Sequence, residues 1–254
     1  MPTEKMINSI ICGDCLEKMK EIDDKSIDMV LADLPYGTTA CHWDTIIPFE
    51  PLWEQYKRII KDNGAIVLTA SQPFTSALVM SNIKMFKYEW IWDKVRPFGF
   101  LDSKFRPMKK HEDVVVFSLG GCSNGSKPPM KYNPQGLVPY GKINRNSPSN
   151  ILNSEPKNSA MIAEFTGYPS SILTFSPDKN IEHPTQKPVA LFEYLIKTYT
   201  SEGDLVLDNV AGSGTTGVAC KNLNRKYILI EKEKEYCDIA VNRIKAVQQR
   251  LLWF

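Results

Sequence analysis

The sequence predicts an α/β fold: a doubly wound, mostly parallel sheet interrupted by a small irregular insert. Short β-branched runs alternate with helical patterns at both ends of the chain, and a proline- and asparagine-rich stretch without either period separates them. The 254 residues are 43% hydrophobic and 24% charged, enough for one large α/β domain or two small ones and ordinary for an ordered globular chain.

In chain order, Ile7–Cys12, Ile27–Ala32, Gly64–Thr69 and Val114–Ser118 read as buried strands. Leu16–Glu21, Phe49–Lys61 and Phe74–Phe86 carry the apolar spacing of helices between them. From about Gly120 to Glu182 the composition changes, and eight of the seventeen prolines fall between Pro128 and Pro177. Such a stretch is loop-rich, with a few short elements. The α/β pattern then returns as a helix over Val189–Thr200, a strand over Asp204–Leu207, and a helix after Gly212. A strand over Tyr227–Ile230 and a long helix from Lys234 complete it. The expected division is therefore an α/β domain of residues 1–119 and 183–254 around an insert of residues 120–182.

Composition excludes several classes. No apolar run reaches the roughly 18 residues of a membrane span, and no long apolar segment with a small-residue cleavage site opens the chain, so a cytoplasmic protein is expected. Six cysteines are too few for a disulfide framework and are expected as reduced thiols. His42, His111 and His183 stand far apart, and no metal-ligand spacing accompanies the Cys12–Cys15 pair. The formal net charge is only +2, yet residues 84–110 hold eight basic side chains against three acidic ones, and residues 120–181 hold six against three. A basic middle on a near-neutral whole suits a polyanion such as nucleic acid, or else a solvated charged face.

Two segments carry chemistry. In Asp208-Asn-Val-Ala-Gly-Ser-Gly-Thr-Thr-Gly217 a buried strand ends in an acid, and a glycine-rich turn opens a helix. Gly212 and Gly214 allow close backbone approach to a ligand, and Glu231 closes the next strand where a carboxylate accepts from ribose hydroxyls. Gly212, Gly214 and Gly217 also satisfy the G-x-G-x-x-G spacing of dinucleotide sites. Only one strand and one helix follow, however, and Asp208 would repel a pyrophosphate while attracting a cationic methionine moiety. S-adenosylmethionine fits better.

At the other end, Asp28-Met-Val-Leu-Ala-Asp33-Leu34-Pro35-Tyr36-Gly37 runs a strand into an acid, a proline and an aromatic. Residues at that position face the crevice of an open α/β sheet. The set suits methylation of an exocyclic base amine, whose lone pair is delocalised into the ring. The Asp33 carboxylate and a backbone carbonyl fixed by Pro35 would hold the two amine hydrogens, and Tyr36 would stack on an extruded base. A packed turn would account for the same residues without chemistry.

These segments, with KKHEDVVVF at Lys109–Phe117 and HPTQKP at His183–Pro188, resemble the beta-class amino-methyltransferases of DNA. There too the catalytic motif precedes the cofactor loop, and a target-recognition region lies between them. The resemblance covers about three quarters of the chain. It implies a circularly permuted methyltransferase fold that binds S-adenosylmethionine across both chain ends, a permutation that close domain termini make feasible. It places catalysis on Asp33, Leu34, Pro35 and Tyr36. Cofactor contacts fall on Asp14, Asp33, Lys187, Asp208, Ala211, Gly212, Gly214, Thr215 and Glu231. The chain departs from the family pattern at Leu34, where a proline is usual, and at Asn209-Val210, where Pro-Phe is usual; the second change implies weaker cofactor packing.

The resemblance also implies double-stranded DNA as the partner, methylated on adenine N6 in a flipped-out base or on cytosine N4. The acid at position 33 is closer to the adenine group. A DNA-binding protein with a vestigial cofactor pocket is the reading from another class. Lys94, Arg96, Lys104, Arg106, Lys109, Lys127, Lys131, Lys142 and Arg145 are the candidate DNA contacts, because phosphates are held by cations. Phe98, Phe100 and Trp43 are candidates to fill the stack where a base leaves, or else core. The small insert suggests help from a second subunit, and a restriction-modification setting in a bacterial or phage-infected cytoplasm would add a cognate nuclease.

Overall fold

The structure is a computed structural model that describes residues 2–38, 44–144, 161–178 and 186–251. It divides into a larger compact unit, Met1–Asn133 with Ser171–Phe254, and a smaller one, Pro134–Ser170. The larger unit begins with α1 (Pro2–Met6), β1 (Ser9–Cys12), α2 (Cys15–Met19) and β2 (Ile27–Ala32). Next come α3 (Phe49–Ile59), β3 (Ile60–Ala70), α4 (Phe74–Ser81), β4 (Phe86–Phe98) and β5 (Lys109–Ser118). The smaller unit holds a hairpin of β6 (Val138–Asn144) and β7 (Met161–Thr166), paired antiparallel. The chain then returns through β8 (Ile172–Thr174), α5 (Val189–Tyr199), β9 (Leu205–Asp208), α6 (Thr215–Asn222), β10 (Lys226–Glu231) and α7 (Lys234–Leu251).

Eight strands form one sheet in the order β1-β10-β9-β2-β3-β5-β4-β8. Among them β5 alone runs against its neighbours. The central strands are apolar without interruption, as Met29–Ala32 and Ala65–Leu68 show, because both faces of a parallel sheet are covered. Strand alternation sends Val30, Ile66, Val115 and Leu207 to one face, against Met19, Leu52, Tyr56 and Leu78 of α2, α3 and α4. Met29, Val67, Val116 and Val206 face the other way, against Leu191, Leu195, Val218 and Ile244 of α5, α6 and α7. The result is three layers, helices on both sides of the sheet.

The order reverses between β9 and β2. From β9 the chain winds through α6 to β10 on one side, and from β2 through α3 to β3 on the other. Connections diverging from neighbouring strands leave a crevice at their carboxyl ends, where open α/β sheets bind ligands. Asp208 ends β9 and Asp33 follows β2, so the permuted order brings the two sequence motifs side by side.

Four expectations change. The helix from Phe74 stops at Ser81, and residues 86–98 are a strand, because Phe86, Tyr88 and Trp90 alternate with Lys87 and Glu89 at period two and the aromatic β-formers continue to Trp92. The strand expected at Val114 begins at Lys109. Residues 120–133 and 171–178 group with the larger unit, and β8 joins the main sheet beside β4, so the smaller unit is shorter than the expected insert. Cys12 and Cys237 form a disulfide rather than free thiols, because β1 pairs with β10 and so brings its last residue beside the first turn of α7. No described helix is long and apolar enough to cross a membrane.

Candidate active site

A cavity of about 760 Å³ opens at the carboxyl ends of the central strands. Its walls include Gly13–Leu16, Asp33–Tyr36, Lys187, Asp208–Ser213, Thr215, Glu231 and Tyr236, so both chain ends build one space. That size lies within the range of ordinary small-molecule and cofactor sites.

Asp33 sits at its centre in a dense polar cluster. Its Oδ1 accepts from the Tyr36 hydroxyl at 2.8 Å and from the Thr69 hydroxyl, while Oδ2 accepts from Lys187 Nζ at 2.7 Å. Lys187, only 6% exposed, also lies 3.4 Å from Glu112 Oε2, and Glu112 is paired through Oε1 with Lys94. Two carboxylates and two ammonium groups thus alternate from Lys94 through Glu112 and Lys187 to Asp33. Burial alone would lower the Lys187 pKa, but the carboxylates of Asp33 and Glu112 outweigh it and hold the ammonium above its usual value. Burial, reinforced by Asp33, pushes the Tyr36 phenol well above its usual value, so it remains a hydrogen-bond donor. The Tyr36 ring stacks on Phe74, with centroids 5.2 Å apart, and Lys187 Nζ lies 5.7 Å from its centre. A carboxylate oxygen has two lone pairs, so Oδ1 is filled and one acceptor site remains on Oδ2.

Across the cavity, Asp208 is buried and accepts from Thr216 Oγ1 and, at 3.1 Å, from Val210 N–H. Burial pushes its carboxyl up to about 7 against the pull of those two donors, and the charges of Asp33 and Glu231 add to the rise. Glu231 is also raised, chiefly by burial, and its two oxygens accept from Gly212 N–H at 2.7 Å and Glu233 N–H at 2.8 Å. Gly214 adopts a positive φ of 81°, and a Cβ there would come within 2.7 Å of Ala240 Cβ on α7. Its glycine is therefore required by helix packing. Asn209, 1% exposed, accepts from Tyr56 OH at 2.6 Å, while its Nδ2 is buried without a hydrogen-bond partner among the described residues. The departure at Asn209 thus places a core hydrogen bond and a spare donor where the family pattern has proline.

Eight acidic side chains line the cavity against four lysines, and two of the acids, Asp208 and Glu231, have raised pKa. That electrostatic deficit suits a positively charged ligand. A family model described as DNA methylase, of the N6/N4 type, matches residues 27–242. The chain belongs to the N6/N4 DNA methylase family. It is similar to the type II methyltransferase M.HpaI of Haemophilus parainfluenzae, 30% identical over 94% of this chain and 74% of that protein. M.HinfI of Haemophilus influenzae is 28% identical over 95% of this chain and 69% of its own length. Among solved structures, the M1.HpyAVI–SAM complex matches with a TM-score of 0.61 at 26% identity, over 92% of this chain and 98% of that one. The cytosine-N4-specific PvuII DNA methyltransferase shares the fold, with a TM-score of 0.66 at 18% identity over 96% of this chain and 92% of its own.

In this methylase the cavity brings together Asp14, Asp33, Leu34, Pro35, Tyr36, Lys187, Asp208, Ala211, Gly212, Thr215 and Glu231. Asp14 also caps α2, accepting from Leu16 N–H at 2.9 Å and Glu17 N–H at 3.3 Å. Leu34 is buried in the core. The basic residues divide. Lys94 and Lys109 line the cavity, Arg96 lies near the end of β4, and Lys104 and Arg106 follow in the connection to β5, all at the same end of the sheet. Lys131 is at the opposite end: its N–H donates to Asn63 O near the start of β3, and its Nζ pairs with Asp204 just before β9. Lys127 is exposed in the loop leading to it, closed by Gly121 N–H on Pro128 O. The Lys142 side chain, Arg145, Trp43 and His183 lie outside the described residues. Sequence reasoning missed Thr69 and Glu112 as partners of the cluster. A polar residue ending a buried apolar strand was the available signal for Thr69.

Proposed function

We propose that this methylase transfers a methyl group from S-adenosylmethionine to the N6 amine of adenine in double-stranded DNA, at a specific site and on a flipped-out base. The observation that carries the reading is Asp33, whose one open acceptor site faces the same cavity as the glycine loop. The donor set fits the cofactor: Asp208 and Glu231 offer carboxylates to its cationic and ribose groups, and Asn209 Nδ2 offers an unpaired donor. When bound, it supplies an electrophilic methyl carbon on a sulfonium.

The chain's own residues do the rest. Asp33 Oδ2 accepts one amine hydrogen, favouring a tetrahedral nitrogen whose lone pair is released from the ring. Lys187 donates to Oδ2 of Asp33 and, with Thr69 and Tyr36 on Oδ1, fixes the carboxylate plane. Tyr36 is itself backed by Phe74, so a stacked base would meet an aromatic ring already held in place. An aspartate rather than a neutral hydroxyl heading the motif favours adenine over cytosine N4.

Digestion of DNA incubated with protein and donor, followed by mass spectrometry of the nucleosides, tests this directly. N6-methyladenine is expected, N4-methylcytosine would redirect the assignment, and no methylated nucleoside would leave a DNA-binding protein. The same reaction with Asp33→Ala should yield no product while the donor still stabilises the protein against heat.

A further inference from the structure

We infer that the connection between β4 and β5 is an arm that inserts apolar side chains into the duplex beside the extruded base. The inference rests on the methyltransferase reading and goes beyond it by assigning the step that opens the stack. Phe98 and Lys109 face each other across the strand pair and both line the cavity, so the arm leaves from its mouth. Its tip is an ordered turn rather than a loose loop. Gly99 has a φ of 92°, a short 3-10 turn spans Phe100–Asp102, and Asp102 O accepts from Phe105 N–H at 2.9 Å and Arg106 N–H at 3.0 Å.

This ordered turn holds its apolar side chains out in solvent. Phe100 is 76% exposed, Leu101 94% and Phe105 89%, three large apolar groups within six residues. Single exposed apolar residues are ordinary, whereas a contiguous patch marks a binding surface. The surrounding charge identifies the occupant. Residues 93–112 contain six lysines and arginines against three acidic side chains, Asp93, Asp102 and Glu112, which pair with Lys110, Arg106 and Lys94. A second copy of the chain would place this excess of three positive charges against itself. A DNA duplex offers phosphates to the cations and base steps to the apolar tip, the arrangement by which wedge side chains unstack and kink DNA.

The test uses Phe100→Ser combined with Leu101→Ser, which removes the wedge from an exposed turn and should leave the melting temperature unchanged. The methylated site is first located by sequencing plasmid DNA treated with wild-type protein. Oligonucleotide duplexes are then made with the target base opposite its normal partner or opposite an abasic site. The double variant should lose roughly tenfold or more of its rate on the paired duplex, equivalent to about 1.4 kcal/mol or more of lost help in unstacking. On the abasic duplex, where the base is already loosened, it should approach the wild-type rate. An unimpaired rate on the paired duplex, equal loss on both duplexes, or a lower oligomeric mass of the variant on light scattering would each overturn the arm. No methylation of any DNA by the wild-type protein would instead defeat the methyltransferase reading itself.

Discussion

Asp208→Asn isolates the electrostatics of the cofactor cavity. The amide keeps the local geometry: its oxygen can accept from Val210 N–H, and its nitrogen can donate to the Thr216 hydroxyl, which accepts as readily as it donates. What disappears is the charge. A carboxyl pushed from 3.8 to about 7 penalises its ionised form by on the order of 4 kcal/mol. An acid whose folded pKa is raised contributes stability that is full below its unfolded value and is lost as pH rises through the folded value. Between pH 5 and pH 8 the wild type should therefore lose on the order of 2.5 kcal/mol through this one group. In a protein of this size that corresponds to about 5–10 °C in melting temperature. The asparagine does not titrate, so the variant's melting temperature should gain that amount on the wild type between pH 5 and pH 8. Differential scanning calorimetry without donor measures it. In the same instrument S-adenosylmethionine should stabilise the wild type more than the variant, because the carboxylate faces a cationic ligand. Parallel melting curves for the two proteins across this pH range would refute the assignment of strain to Asp208.

Lys187→Met should cost about 3 kcal/mol by leaving Asp33 and Glu112 without their shared cation, and Glu112→Gln in the same chain should recover part of it; thermal melting at pH 8 reads both. Tyr36→Phe removes a hydroxyl that donates to Asp33 Oδ1, so the methyl-transfer rate should fall about tenfold with donor affinity unchanged, as expected for a charge-assisted hydrogen bond. Replacing Arg96 and Lys104 by alanine should flatten the dependence of DNA affinity on salt by about 0.9 per lost phosphate contact, while Lys127→Ala, at the other end of the sheet, should leave the slope unchanged in fluorescence anisotropy.

The parts of the cavity legible in the sequence are those whose meaning is local. A buried strand that ends in an acid, as at Asp33 and Asp208, announces its own position at the carboxyl edge, and the glycine loop announces the turn into α6. Neither motif tells that the two strands are neighbours; that follows from where the winding reverses, and the strand order supplies it. The alternation from Phe86 to Trp90 was a readable strand signal masked by the helical pattern running into it from Phe74. Partners that meet only in space were out of reach: Cys12 and Cys237 are 225 residues apart, and Lys187 meets Asp33 across 154.

The same distinction explains why Tyr36 reads differently in the fold than in the sequence. As a sequence element it is an aromatic surface, replaceable by any ring. In the fold its hydroxyl and that of Thr69 fill Oδ1 of Asp33, and Lys187 occupies one side of Oδ2. Three donors fixed from three separate segments leave a single direction in which that carboxylate can accept another hydrogen. Directionality of this kind is what positions an amine for attack, since a freely rotating carboxylate would hold it in many orientations and favour none. The aspartate supplies the charge, but the long-range contacts supply the aim.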